Sequence, residues 1–310
     1  MRAARGVCET RALAILPQTL EGLFYEFPGA VRFMRSPEGI ASEVEEYGPD
    51  VVMFDLTSLE ASIVESVRSQ TRCLASVSPI FDQMSHMDLS FTRTPRFEPI
   101  EGVTTYGGLK YTIFNDYCVR ITDDIFHRNN SRDELPVAIC LGGADSANKT
   151  QLVLDALVQI SVPCTFWTLL GQGYEHSYSS LAETVRNTHH HEVVLANTSR
   201  SMWTVMGNCV LAVTAGGLTA MEAVYSGLPA ITLLREPAHR ELLTHLFDVD
   251  AVLDGGSFDD ASLSRLKATI EQLHGDRAEL AAWRKRCQGL IDDNGPARVL
   301  NVLQKHLDDS

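Results

Sequence analysis

The chain has 310 residues, 45% hydrophobic and 21% charged, which suits a folded globular protein and excludes the disordered and membrane-spanning classes. At roughly 150 residues per domain, this length favours two domains. The formal charge of -14 sets the average surface against a phosphate backbone, so no nucleic-acid partner is expected. A small anion can still be held locally by backbone N–H groups and helix N-termini.

Short runs of β-branched and aliphatic residues alternate with segments of helical period. In chain order, a helix around Glu43 leads to a strand at 51–54, and a helix at 59–68 to a strand at 73–77. From 82 to 136 the rhythm is lost among Pro95, Pro99, Gly102, Gly107, Gly108 and the polar run 129–134. The interdomain connection is expected there, giving domains at 1–130 and 131–310. Beyond it come a strand at 137–141, a helix at 152–160, a strand at 164–170, a helix at 181–186 and strands at 193–196 and 209–214. A helix at 220–226, a strand at 230–234 and a helix at 263–273 complete the series. The alternation predicts an α/β fold of parallel sheets with crossover helices.

Seven cysteines without a C-x-x-C pair are expected to be reduced, mostly buried thiols of a cytoplasmic protein, Cys8 among the buried ones. The apolar run after Arg2, Arg5 and Arg11 is too short for a signal peptide, and the stretch 209–234 is broken by Glu222, Gly227 and Pro229. No export or membrane route is expected. His189, His190 and His191, and the acidic residues Asp248, Asp250, Asp254, Asp259 and Asp260, are expected to be solvated; no metal site and no cofactor are expected.

The strongest local signal is LAVTAGGLTAME at 211–222, closed by Ser226-Gly227-Leu228-Pro229. A strand runs into two glycines, and a helix then starts and ends at a Gly-x-Pro stop. Backbone N–H groups of the first turn favour a diphosphate, and Glu222 is placed to accept from a ribose diol. Thr219-x-x-Glu222 also reads as a capping box that needs no ligand, and the sequence leaves both readings open. A second strand-to-helix turn, CLGGADSANKT at 140–150, faces either phosphates or its own helix, with Asn148 or Ser146 as cap.

Together GGADSANKT and TAGGLTAMEAVYSGLPAITL resemble the two C-terminal loops of the UDP-sugar hydrolases of pseudaminic acid biosynthesis and the related spore-coat polysaccharide proteins. These are relatives of the transferase that adds N-acetylglucosamine in peptidoglycan synthesis. Val51 to Asp55, Gly108 to Ile113 and Asp292 to Val299 resemble further family motifs in order. The resemblance implies a GT-B-like fold, two Rossmann-like domains facing a central cleft, the last helix packing back on the N-terminal domain. It implies a nucleotide-sugar-dependent glycosyltransferase, or a sugar-nucleotide hydrolase, acting at the anomeric carbon. The setting would be cell-surface glycan or nonulosonic-acid-type sugar biosynthesis.

Gly216, Gly217, Leu218 and Thr219 would meet the diphosphate of a UDP-sugar and Glu222 its ribose, while Gly142, Gly143 and Asp145 would line the cleft. A sugar or lipid-linked acceptor would be the second partner. The family's catalytic histidine motif appears here with Cys8 in the histidine's place and Arg11 retained, after a first strand that is largely absent. Asp55 is followed by Leu56-Thr57 rather than His-Tyr, and Glu236-Pro237-Ala238 stands for Glu-Asn-Gln. His239 and Arg240 occupy a His-Gln position, Arg240 as a cation beside the diphosphate. The catalytic candidates are thus Cys8, Asp55 and His239. The rival reading is a degenerate relative that binds a nucleotide sugar, or only a protein partner.

Overall fold

The computed structural model describes residues 8–15, 30–114, 117–197, 202–235 and 237–309, so Gly6, Val7 and Glu236 lie outside the described residues. The chain divides into two compact units, 1–113 with 292–310, and 114–291.

In the first unit, strands β1 (Arg11–Ile15) and β2 (Ala30–Met34) pair in parallel as a two-stranded sheet. Helices α1 (Ile40–Tyr47) and α2 (Ala61–Arg68) flank β3 (Val51–Phe54), which starts the parallel sheet β3-β4-β5-β6. Its other strands are β4 (Cys73–Ser76), β5 (Leu89–Thr92) and β6 (Thr104–Gly107). Successive strand residues point to opposite faces, and β4 displays this in its packing. Leu74 joins the cluster of Val44, Phe54, Ile63, Val64 and Val67 on the α1–α2 side. Cys73 and Ala75 join Leu89, Phe91, Val299 and Leu303, the last two from α11 (Gly295–Asp309). Arg298 fixes that helix by a bidentate pair with Asp292 at 2.6 and 2.7 Å and by donating to the Lys110 carbonyl. Gly295 sits so close to the chain that a Cβ would stand 2.0 Å from the Thr112 carbonyl oxygen.

The second unit holds α3 (Asp123–Asn130), β7 (Leu135–Cys140), α4 (Lys149–Leu157), β8 (Cys164–Leu170), α5 (Tyr178–Asn187) and β9 (Glu192–Asn197). It continues with α6 (Met202–Met206), β10 (Leu211–Thr214), α7 (Leu218–Ser226), β11 (Ala230–Leu234), α8 (Pro237–Phe247), β12 (Val252–Ser257), α9 (Asp260–Gly275) and α10 (Arg277–Cys287). The six strands are parallel in the order β12-β11-β10-β7-β8-β9. Every residue of β7, β10 and β11 is buried, as expected of strands covered on both faces.

Several expectations are corrected. The unit boundary falls at 113/114 rather than after 130, because α3 is tied into the second unit by Arg284, whose Nε and Nη2 donate to Asp123 at 3.0 and 2.9 Å. The stretch 82–136 contains β5, β6 and α3, whose two strands are only four residues long each, too short to display a period. Arg11–Ile15 forms a strand that the sequence did not announce; Arg11 pairs with Glu43 at 3.8 Å and stacks on Tyr47. His191 is half-buried rather than solvated, its Nε2 3.1 Å from the Ile160 carbonyl and its ring edge-on to Phe166. Asp254 is half-buried and pairs with Arg240, whereas Asp259 is exposed as expected and also caps α9, accepting from the Ser262 N–H at 2.8 Å.

Cys8 is exposed, not buried, while the other six cysteines are buried. Burial pushes the thiols of Cys73 and Cys140 up to about 11 and those of Cys118, Cys164 and Cys287 up to about 12. Protonated and buried thiols are poor nucleophiles. Native protein treated with dithiobis(nitrobenzoate) is therefore expected to titrate one fast thiol, Cys8, and the full set only after denaturation.

Candidate nucleotide site

In an open parallel sheet, ligands bind outside the carboxyl ends of the strands, where the chain order reverses direction. In the second unit that point lies between β7 and β10: β8 and β9 continue outward on one side of β7, β10 to β12 on the other. The two glycine-rich turns of the sequence are the loops that leave these two strands. Gly142 follows β7 at φ 104 and Gly216 follows β10 at φ 70, both in the left-handed region that glycine tolerates. Gly171, after β8, supports the first turn: a Cβ there would lie 2.2 Å from the Gly143 carbonyl oxygen, to which the Gly173 N–H donates at 3.0 Å.

The turns look alike in sequence and differ in chemistry. At α4 the N-terminus is already occupied by an anion. Asp145, 2% exposed and at φ 42, accepts from the Lys149 and Thr150 N–H groups at 2.9 and 2.8 Å. Asn148 stands at the N-cap position but its side chain makes no cap hydrogen bond; the Asp145 carboxylate takes that role instead. At α7 the N-cap is Gly217, with no side-chain cap, and Thr219 is the second helical residue. The capping-box reading of Thr219 and Glu222 is thereby excluded: a box needs Thr219 at the N-cap, and the helix begins before it.

Around the uncapped α7 start, Gly217 is exposed and a Cβ there would meet nothing within 4 Å. A Cβ on Gly216 would approach Leu234 at 2.8 Å and the His239 Cβ at 3.4 Å, so the first residues of α8 lie against this turn. The His239 Nδ1 is buried and, among the described residues, has no hydrogen-bond partner. Glu222 is 4% exposed. Burial and, after it, the Glu222 charge push the thiols of Cys118 and Cys140 up. Behind the turn, the buried hydroxyls of Thr214 and Thr232 share a hydrogen bond of 2.7 Å across β10 and β11.

Arg240 is exposed to solvent and pairs with Asp254. Arg235 reaches the loop after β7, where its guanidinium donates to the Leu141 carbonyl. Sequence reasoning passed over it, although a charged residue directly after five buried apolar and hydroxyl residues, at a carboxyl strand end, was a usable signal. In the first unit, Asp55 is exposed at the carboxyl end of β3. Cys8 precedes β1 and so lies at its amino end, away from the strand end where a catalytic residue is expected.

Cys73, Asp88 and His306 bring donor atoms within 4.8 Å of one another. Asp88 is already committed to Arg68 and to the Leu74 N–H at 2.8 Å, and the raised Cys73 thiol opposes metal ligation. No helix among the described residues is long and apolar enough to cross a membrane.

No family model matches the chain. Uncharacterized protein MJ1062 of Methanocaldococcus jannaschii is 21% identical over 211 residues, 65% of this chain and 44% of that protein, so the match spans under half of the curated relative. Among solved structures, MurG of Acinetobacter baumannii superposes with a TM-score of 0.66 at 14% identity, covering 98% of this chain and 93% of that one. Alr3699/HepE of Anabaena, in complex with UDP-glucose, gives 0.63 at 12% identity, with 95% and 91% covered. MnaA of S. aureus, with UDP, gives 0.61 at 11% identity, with 99% and 92% covered. At such identities the likeness concerns architecture, and the chain has the α/β fold of the GT-B proteins.

Proposed function

We propose that the second unit binds a UDP-sugar, with the diphosphate at the start of α7 and the ribose at Glu222, and that the protein is a glycosyltransferase or a UDP-sugar hydrolase. One observation carries the reading: α7 starts uncapped behind Gly216 at the point where the sheet order reverses, whereas α4 beside it carries its own carboxylate. Solved structures of the same fold with UDP or UDP-glucose support it.

In this reaction the bond from the anomeric carbon to the β-phosphate oxygen breaks, and its electron pair leaves with UDP. The oxygen of an acceptor hydroxyl, or of water, forms the new bond and gives up its proton to a general base. The N–H groups of the first α7 turn and His239 stabilise the departing diphosphate. Cell-surface glycan or nonulosonic-acid-type sugar synthesis is the setting in which such a product is used.

A thermal-shift panel of UDP, GDP, CMP, ADP and UDP-N-acetylglucosamine tests the site. UDP at about 100 times its Kd is expected to stabilise the protein by roughly 2.7 kcal/mol, a rise of several degrees. Glu222→Ala is expected to remove the shift. A shift that survives Glu222→Ala would move the ribose elsewhere, and no shift with any nucleotide would remove the site.

The second reading, binding without turnover, is favoured by Cys8, which replaces the family's histidine and precedes β1. Steady UDP release from a panel of UDP-sugars would exclude it.

A further inference from the structure

Strand β10 lies between β7 and β11, so a side chain that starts after β11 and reaches the loop after β7 must cross the end of β10. Arg235 makes this crossing. One terminal nitrogen donates to the Leu141 carbonyl and lies 3.7 Å from the Asp145 carboxylate. Gly142 leaves room for it: a Cβ there would stand 3.3 Å from that nitrogen. The guanidinium therefore spans the carboxyl end of the strand that feeds the Gly216-Gly217 turn.

Its hydrogen-bonding capacity is only partly used. Of the five N–H donors of an arginine, those on Nε and on the second terminal nitrogen have no partner among the described residues. Asp145 leaves the charge largely available, because its carboxylate oxygens accept from Lys149 and Thr150. A planar fork of unused donors matches phosphate oxygens.

We infer that Arg235 is the specificity residue for the second phosphate: α7 holds one phosphate of the nucleotide and the Arg235 guanidinium the other, so the site selects a diphosphate over a monophosphate. The inference rests on the nucleotide reading given above.

Isothermal titration of UDP and UMP against the full chain, as wild type, Arg235→Met and Arg235→Lys, tests it. Wild type is expected to prefer UDP by at least about tenfold, the scale of one charge-assisted contact. Arg235→Met should lose about tenfold in UDP affinity while UMP stays within about twofold, and Arg235→Lys should recover part of the preference. Equal weakening of UDP and UMP in Arg235→Met, or no change in either, would overturn the role of Arg235 alone. Failure of wild type to bind either nucleotide would overturn the site itself and this inference with it.

Discussion

Gly216→Val is expected to abolish nucleotide binding and to lower the stability of the second unit by about 3 kcal/mol, from a left-handed backbone that a β-branched residue resists and from overpacking. The added carbon would sit 2.8 Å from Leu234 and press on His239, so both the turn and the start of α8 must move. At about 2–4 °C per kcal/mol, the melting temperature should fall on the order of 10 °C. Gly217→Ala is the informative partner: its Cβ meets nothing within 4 Å, so stability should stay within about 0.5 kcal/mol. Because that open space is where the proposed phosphate sits, UDP binding should still weaken. A Gly217→Ala protein that binds UDP as wild type does would place the phosphate elsewhere.

Arg284→Met is expected to cost about 3 kcal/mol in urea denaturation, since a buried carbonyl left without its donor costs roughly 1–3 kcal/mol. Arg284 is 3% exposed, donates to the Gly227 carbonyl at 2.6 Å and to the Ile121 carbonyl, and lies 4.8 Å over the Phe126 ring. It thereby fixes the far end of α7, where Gly227 at φ 72 stops the helix. Its third acceptor, Asp123, is exposed, and hydrogen bonds from Arg284 hold its carboxyl below the usual aspartate range. A depressed folded value means the pairing stabilises at neutral pH. The contribution fades as pH falls below roughly 3.9, the ordinary aspartate value, through the folded one. Asp123→Asn should flatten that acid limb and leave neutral stability much closer to wild type than Arg284→Met does.

The parts of this fold that were legible in the sequence are those fixed by local chemistry. The unbroken apolar runs of β7, β10 and β11 announce strands buried on both faces, and Gly227 with Pro229 marks where α7 stops. The two paired-glycine turns were equally visible. Their difference was not, because it depends on backbone conformation. Asp145 reaches the α4 N–H groups only by taking a left-handed φ, and Gly217 enters α7 extended, which starts the helix before Thr219 and dissolves the apparent capping box. Arg235 carried a local mark as a charge at a carboxyl strand end, but its neighbours are set by strand order, and no local pattern states that β10 separates β11 from β7. The same holds for Cys8, whose place before β1 follows from Arg11–Ile15 pairing with Ala30–Met34.

The return of residues 292–310 to the first unit fixes an order of events during synthesis. Domains generally fold as units while the chain emerges, amino-terminal parts first. Here the second unit has its whole sequence available before α11 exists. Until the ribosome releases α11, the sheet face formed by Cys73, Ala75, Leu89 and Phe91 lacks Val299 and Leu303. Of the two units, the one whose synthesis begins earlier is thus the later to close, and a nascent chain arrested before Asp292 carries that greasy face uncovered, the surface a chaperone would meet.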